Sequence, residues 1–253
     1  MKILLTGASG YIGQRLIPVL LEQGHEVICC VRDKARFSTD KYQGGNLSAI
    51  QVDLLNPESL DKIPDDIDAA YYLVHSMSAK EDFASLEKLS ASTFVDRIKN
   101  TKCRQIIYLT GIVNDHTLSK HLESRKAVEE ILGSGNVPLT ALRAAIIVGS
   151  GSASFEIIRD LVEKLPVMVA PKWLQTRCQP IAIRNVIEFL SGVLLREDTF
   201  NRHFDIYGPD TLTYKQMLLE FAAARKLERY ILTVPVMTPR LSSYWLYFVT
   251  STS

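Results

Sequence analysis

The sequence lacks most of the features that would take it outside ordinary globular folding. Its four cysteines, Cys29, Cys30, Cys103 and Cys178, show no CxxC spacing, so neither a disulfide framework nor a zinc site is indicated. Cys29 and Cys30 stand inside an apolar run, and all four are expected to be buried free thiols of a reducing, cytoplasmic protein. Charge of either sign is not in excess. A net charge of +1 argues against broad electrostatic capture of nucleic acid or of an anionic membrane. No apolar run reaches the length of a membrane span. Met1-Lys2 leads straight into Ile3-Leu4-Leu5 and then a glycine loop, so no signal peptide is expected. The histidines, His25, His75, His116, His121 and His203, have no metal-ligand spacing and no accompanying carboxylate cluster, so no metal is expected. Ser9 and Ser150 lie in no GxSxG elbow, which leaves a serine hydrolase unsupported. No internal repeat or low-complexity linker divides the chain.

What is present suits a folded α/β protein. The composition, 47% hydrophobic and 23% charged, is that of a globular chain with a real core. Short runs rich in Val, Ile, Leu and Tyr fall at 2–6, 26–31, 49–52, 69–74, 104–110 and 139–143. They show little polar alternation, as strands covered on both faces do. Helical patterns lie between several of them. In 79–99, Phe83, Leu86, Phe94 and Ile98 fall near one stripe, with Ser78 and Glu81 reading as a capping box. A second pattern covers 119–132. Strands separated by helices need right-handed crossovers, which predicts a Rossmann-type doubly wound parallel sheet of about seven strands.

The last third is less regular. The stretches 153–165 and 184–196 read as helices and 203–207 as a strand. Thr213 and Gln216 read as the cap of a helix reaching about Arg225. Prolines at 166, 171, 180, 209, 235 and 239 break this region into short pieces. Residues 242–253 carry Tyr244, Trp245, Leu246, Tyr247, Phe248 and Val249, a stretch that should pack against something. It reads as core or as a subunit interface, which leaves room for a homodimer, rather than as a membrane contact, because it is short and has no basic face. The natural chain is expected to continue beyond Ser253. The whole of 1–253 is read as one dinucleotide-binding domain, with a core at about 1–150 and a small substrate lobe at about 151–253.

The chemistry is concentrated near the start. Thr6-Gly7-Ala8-Ser9-Gly10-Tyr11-Ile12-Gly13 follows a strand-like run and opens the helical stretch 11–23. In that context a glycine loop reads as a dinucleotide seat. Gly7 allows the tight turn, Gly10 lets backbone approach a pyrophosphate, and Gly13 lets the helix pack closely. The helix start, with Ser9, Tyr11 and Ile12, then offers N–H groups to phosphate. Pro18 is expected to kink that helix. The second strand ends in Val31-Arg32 rather than in an acid, with Lys34 and Arg36 close behind. A guanidinium suits a 2′-phosphate, so NADP(H) is favoured over NAD(H), although Asp33 leaves a solvated basic loop as the alternative. Asp53, with Leu54, is read either as reaching the adenine amino group or as capping a short helix near Pro57. Val74-His75-Ser76 ends the fourth strand, where His75 reads as a structural contact near the ribose and pyrophosphate rather than as a catalyst.

These residues resemble the atypical, extended-like short-chain dehydrogenases/reductases, including NmrA-like proteins. The resemblance covers essentially the whole chain. It rests on Thr6–Gly13, Gly24-His25-Glu26-Val27, Val31-Arg32, Val52-Asp53-Leu54, Leu73-Val74-His75-Ser76 and Leu142-Arg143. The run Ile146-Ile147-Val148-Gly149-Ser150-Gly151-Ser152-Ala153-Ser154-Phe155-Glu156 is similar to a bacterial NAD(P)-binding subgroup that often carries a further C-terminal domain. The resemblance implies a seven-stranded, mainly parallel sheet whose last third builds a substrate lobe. It also implies a mechanism with a Ser or Thr, a Tyr, and a Lys four residues after that Tyr.

In this chain the corresponding helix reads His121-Leu122-Glu123-Ser124-Arg125-Lys126-Ala127-Val128-Glu129, with Ser124 and Glu129 in the family register. His121 then stands at the Tyr position and Arg125 at the Lys position, and the hydroxyl before them is either Thr110 or lost at Gly111. The Tyr–Lys pair is absent. Either His121 donates the proton and Arg125 anchors the cofactor ribose, or both are ordinary helix residues. Gly149-Ser150-Gly151 reads either as a loop over the nicotinamide or as an ordinary turn. The resulting expectation is an NADP(H)-dependent oxidoreductase acting on a small molecule, with a non-catalytic NADP(H)-binding sensor or assembly subunit as the alternative.

Overall fold

In the computed structural model the described residues are 1–42, 45–74, 83–112 and 120–234, with the side chains of 120–122 left aside. The chain runs β1 (Lys2–Thr6), α1 (Tyr11–Glu22), β2 (Glu26–Val31), β3 (Leu47–Gln51), β4 (Ala69–Tyr72), α2 (Phe83–Ile98), β5 (Ile106–Gly111), α3 (Lys120–Gly133) and β6 (Leu139–Ala144). It continues through β7 (Ile147–Val148), α4 (Ala153–Lys164), β8 (Val167–Pro171), β9 (Arg177–Cys178), β10 (Ile181–Ala182) and α5 (Ile183–Gly192). The last elements are β11 (Arg202–Ile206), β12 (Leu212–Thr213), α6 (Tyr214–Ala224) and β13 (Tyr230–Val234).

Two compact units result. Among the described residues, those of Met1–Ala144 with Arg184–Ile206 form the first, and Ala145–Ile183 with 207–234 form the second. The first is a seven-stranded sheet in the order β11-β6-β5-β4-β1-β2-β3. All of its pairings are parallel. Strand order reverses between β1 and β4, and a crevice opens at such a point beyond the carboxyl ends of the strands. Central strands are buried on both faces, which is why they read as continuous apolar runs: Ile3, Leu4 and Leu5 are all fully buried. Under α2 and α3, Tyr72 meets Phe94 and Tyr108 edge-on, with ring centroids 5.0 and 5.9 Å away.

One buried amide ties in the returning segment. Gln105 donates to the Thr140 hydroxyl at 2.7 Å and to the Val193 carbonyl at 3.0 Å, and its own carbonyl accepts from the Leu195 N–H. Beyond Gly192 the backbone turns left-handed at Leu195, with φ of 53°. That turn ends α5 earlier than the expected 196. The helix α1 runs from Tyr11 to Glu22 with Pro18 inside it.

The second unit has its own core of Leu161, Val162, Met168, Ala170, Leu174, Leu218, Ala222 and Ile231. Thr213 caps α6 with the expected box: its hydroxyl accepts from Gln216 N–H at 3.1 Å, and the Gln216 carbonyl oxygen accepts from Thr213 N–H at 2.7 Å. The parallel pair β8–β13 was not expected, because the prolines at 166 and 171 read as breakers. Its inward residues Met168, Ala170 and Ile231 are buried, while Val167, Val169, Tyr230 and Leu232 on the opposite face are exposed.

Candidate functional site

The glycine loop sits at the reversal point of the sheet. The Thr6 hydroxyl donates to the Tyr71 carbonyl at 3.0 Å and accepts from Leu73 N–H at 3.2 Å, so it bridges β1 to β4 where the crevice begins. Gly7 adopts φ of +70°, and a Cβ there would stand 2.5 Å from the Leu73 carbonyl oxygen. Only glycine satisfies both conditions. Gly10 N–H closes the turn on Gly7 O at 2.9 Å and forms the N-cap of α1 without a side-chain cap. No acid lies in the first turn of α1, so its N–H groups face no competing carboxylate from that turn. Gly13 brings α1 onto the loop: a Cβ there would lie 2.4 Å from Gly7 O and 2.9 Å from Ala8 Cα. The close approach is therefore between helix and loop, where the sequence reading had helix against strand.

A cavity of about 640 Å³ opens against this loop, within the usual range for small-ligand sites. Gly7, Ser9, Gly10, Arg32, Asp53, Leu54 and Val74 all line it, so segments far apart in sequence converge there. Tyr11, Ile12 and Gly13 form the first turn of α1 and are not among its lining residues. The guanidinium of Arg15 lies 3.9 Å from the centroid of the Tyr11 ring.

The two arginines behind β2 part company. Arg32 is exposed and lines the cavity. Arg36 closes a 3-10 turn, Lys34–Arg36, and its Nε lies 3.2 Å from Asp33 Oδ2, with the Arg36 side chain 88% exposed. Asp33 is occupied locally as well, since its Oδ1 accepts from Ala35 N–H at 3.0 Å. Asp53 lines the cavity while its Oδ1 accepts from Leu55 N–H at 3.0 Å. It does not cap the turn Pro57–Lys62, whose N-cap is Asn56. His75, Ser76, Ser78, Glu81, His116 and the aromatic stretch 244–249 lie outside the described residues.

The helix α3 carries the other candidates. The backbone of His121 is in its first turn, and its side chain lies outside the described residues. Arg125, half-buried, follows one helical turn later on the same face. Thr110, near the end of β5, is 4% exposed. Neither Thr110 nor Arg125 is among the residues lining the cavity. Burial pushes the neighbouring Tyr108 phenol far up, opposed by the Thr110 hydroxyl and the Arg125 charge.

The sequence reading overlooked what holds α3. Arg143 on β6 forms a two-pronged ion pair with Glu129, at 2.8 and 3.1 Å, with side chains only 20% and 13% exposed. The Ser124 hydroxyl donates to Glu87 Oε2 on α2 at 2.5 Å, and Glu87 lines the cavity. A guanidinium on an otherwise apolar strand was the available signal, because it requires a carboxylate partner.

The remaining expectations concern the second unit and the thiols, of which Cys30 lines the cavity. Ser152 caps α4: its hydroxyl accepts from Phe155 N–H at 3.2 Å and donates to the Ile147 carbonyl at 3.0 Å. Residues 149–152 therefore form the turn that caps α4. Cys29, Cys30 and Cys103 are buried free thiols; burial pushes Cys29 up to about 12 and Cys103 up to about 11. Cys178 departs from the expectation, being free but only half-buried, with its Sγ 3.3 Å from Met217 Sδ. Among the described residues no group of three or more His, Cys, Asp or Glu is placed to hold a metal ion. No helix among them is long and apolar enough to cross a membrane.

Comparison with known proteins agrees with this geometry. Residues 7–157 match the family described as NAD(P)H-binding. The photosystem II assembly factor Ycf39 of Cyanophora paradoxa is 24% identical over 219 residues, covering 82% of this chain and 64% of its own. The chloroplastic divinyl chlorophyllide a 8-vinyl-reductase of Cucumis sativus is 21% identical over 226 residues, covering 82% of this chain and 53% of its own. The chain spans between 25% and 64% of the length of the curated relatives it matches. A nucleoside-diphosphate-sugar epimerase structure from Staphylococcus aureus superposes with a TM-score of 0.77 at 17% identity, over 99% of this chain and 90% of its own. At that identity the likeness is one of fold.

Proposed function

The chain belongs to the NAD(P)H-binding family, of the atypical short-chain dehydrogenase/reductase type, and from that premise we propose that it is an NADP(H)-dependent oxidoreductase acting on a small molecule. The observation that carries this reading is the convergence of Gly7, Gly10, Asp53 and Arg32 on one cavity. The choice of NADP(H) over NAD(H) rests on Arg32, whose guanidinium can make paired charge-assisted bonds to a 2′-phosphate. Arg36 contributes less, because it is paired with Asp33. The α1 N-terminus receives the pyrophosphate.

Bound NADPH would supply a hydride. His121 is proposed to hold the proton for the substrate oxygen, since an imidazole titrates near neutral pH. Arg125 is proposed to hold the ribose, with Thr110 beside it. The second unit is proposed as the substrate lobe and the cytoplasm as the compartment, where thiols such as Cys29 stay reduced. A carbonyl-, quinone- or sugar-like compound is the proposed substrate class, and a homodimer the proposed assembly.

A second reading is that the nucleotide is a bound ligand of a sensor or assembly subunit, without turnover. The burial of Thr110 and the lack of a Tyr–Lys pair at 121 and 125 favour it.

Titration with NADPH and NADH, followed by nicotinamide fluorescence, tests the common premise. Tighter binding of NADPH is expected. Equal affinities remove the Arg32 argument, and no saturable binding of either removes both readings. Incubation of the NADPH complex with a panel of quinones and aldehydes then separates the two. Turnover that falls in His121→Ala supports the enzyme, and no turnover by wild type supports the ligand reading. Turnover unchanged in both His121→Ala and Thr110→Ala removes the catalytic assignments.

A further inference from the structure

Two acids line the glycine-loop cavity, Asp53 and Glu87. Asp53 stands in the loop after β3 and uses Oδ1 in its own turn. Glu87 comes from α2, from a part of the sequence that carries no recognised motif. A carboxylate in an anion-binding cavity is repelled by pyrophosphate, so its place is where a ligand presents donors. A dinucleotide presents two kinds: ribose hydroxyls and the adenine amino group.

The Glu87 carboxylate is aimed by a specific partner. Ser124 is 2% exposed, and its hydroxyl donates to Glu87 Oε2 at 2.5 Å. A hydroxyl so deeply buried needs an acceptor, and a charged acceptor makes the stronger bond. A carboxylate offers about four acceptor positions, of which the Ser124 hydroxyl takes one. Ser124 belongs to α3, the helix that also carries His121 and Arg125.

Resting on the dinucleotide reading of this cavity, we infer that Glu87 contacts the ligand by accepting a hydrogen bond from a ribose hydroxyl or the adenine amino group, and that Ser124 is the positioning residue that orients it. Cofactor contact is thereby linked, through one hydrogen bond, to the helix bearing the candidate chemistry.

The test compares NADPH affinity and melting temperature in wild type, Glu87→Gln, Ser124→Ala and Ser124→Thr. Gln still accepts the serine proton but carries no charge. Glu87→Gln should therefore melt close to wild type while binding NADPH about five- to tenfold more weakly. Ser124→Ala should weaken binding about two- to threefold, and Ser124→Thr should restore it, because the hydroxyl returns. ADP-ribose and its hypoxanthine counterpart identify the donor. A loss confined to the adenine form assigns the amino group, and a loss shared by both assigns a ribose hydroxyl. NADPH affinity in Glu87→Gln within twofold of wild type overturns the proposal, whatever the melting temperature does, and leaves the pair as a cross-link between helices. Failure of wild type to bind NADPH is a different result: it removes the cavity reading and this inference with it.

Discussion

The glycine loop and the helix α3 are each held against their neighbours, by opposite means. The loop is fixed by backbone. A positive φ at Gly7, a turn closed on Gly7 O and the missing Cβ at Gly13 leave one path for the chain. The helix α3 is fixed by side chains: Glu129 to Arg143 on the sheet, and Ser124 to Glu87 on the next helix. Backbone constraints tolerate no variation at their glycines and much variation elsewhere. Side-chain constraints can be rewired pair by pair. A family that keeps its nucleotide seat while changing its chemistry would be expected to build those two ends in these two ways.

The sharpest way to break the comparison is Gly13→Ala. Its new methyl group would stand 2.4 Å from a backbone oxygen that no rotamer change can move. NADPH binding should fall about 100-fold or more, as measured by fluorescence titration. A loss under tenfold would show that the loop yields, and that backbone does not govern this end.

Next in size is Arg143→Ala, which leaves Glu129 without its partner in a largely buried position. Stability should drop by about 2 kcal/mol in urea unfolding, with NADPH affinity altered less than about threefold. An affinity loss matching that of Gly13→Ala would erase the distinction between the two ends.

The smallest effect separates the basic residues. Arg32→Ala should weaken NADPH about tenfold and leave NADH unchanged, while Arg36→Ala should stay within about twofold for both. Equal losses in the two variants would assign the 2′-phosphate to both side chains.

The same contrast explains what could be read in the sequence. The strands of the first unit were visible because burial on both faces makes each a local apolar run, as in 26–31 and 139–143. The glycine loop was visible because its three glycines and the helix start they serve fall within eight residues of chain. Edges were less exact: β4 stops at Tyr72 rather than 74, and α5 at Gly192 rather than 196, where a left-handed turn intervenes. The pair β8–β13 escaped notice because each strand finds its partner some sixty residues away, Val167 against Tyr230. Glu87 escaped for a related reason. Its meaning depends on α2 lying beside α3, and nothing at positions 83–98 announces that. The pairing of Arg36 with Asp33 was not legible either, because proximity in sequence to Arg32 says nothing about the turn that makes it.

The path of the chain through the first unit has a consequence for its birth. Strand β11 is laid against β6 only after an excursion of nearly sixty residues, from Ala144 to Arg202. A ribosome adding about 5–20 residues per second needs several seconds to make that stretch. Throughout that interval β6 has no neighbour on one side, and Gln105 waits for the Val193 carbonyl and Leu195 N–H that will complete its bonds. An open parallel edge is a template for a stranger's strand. The nascent protein thus carries an unpaired β6 while it is already six-sevenths of a sheet, and the pairing of β11 covers β6 and becomes the edge in its place.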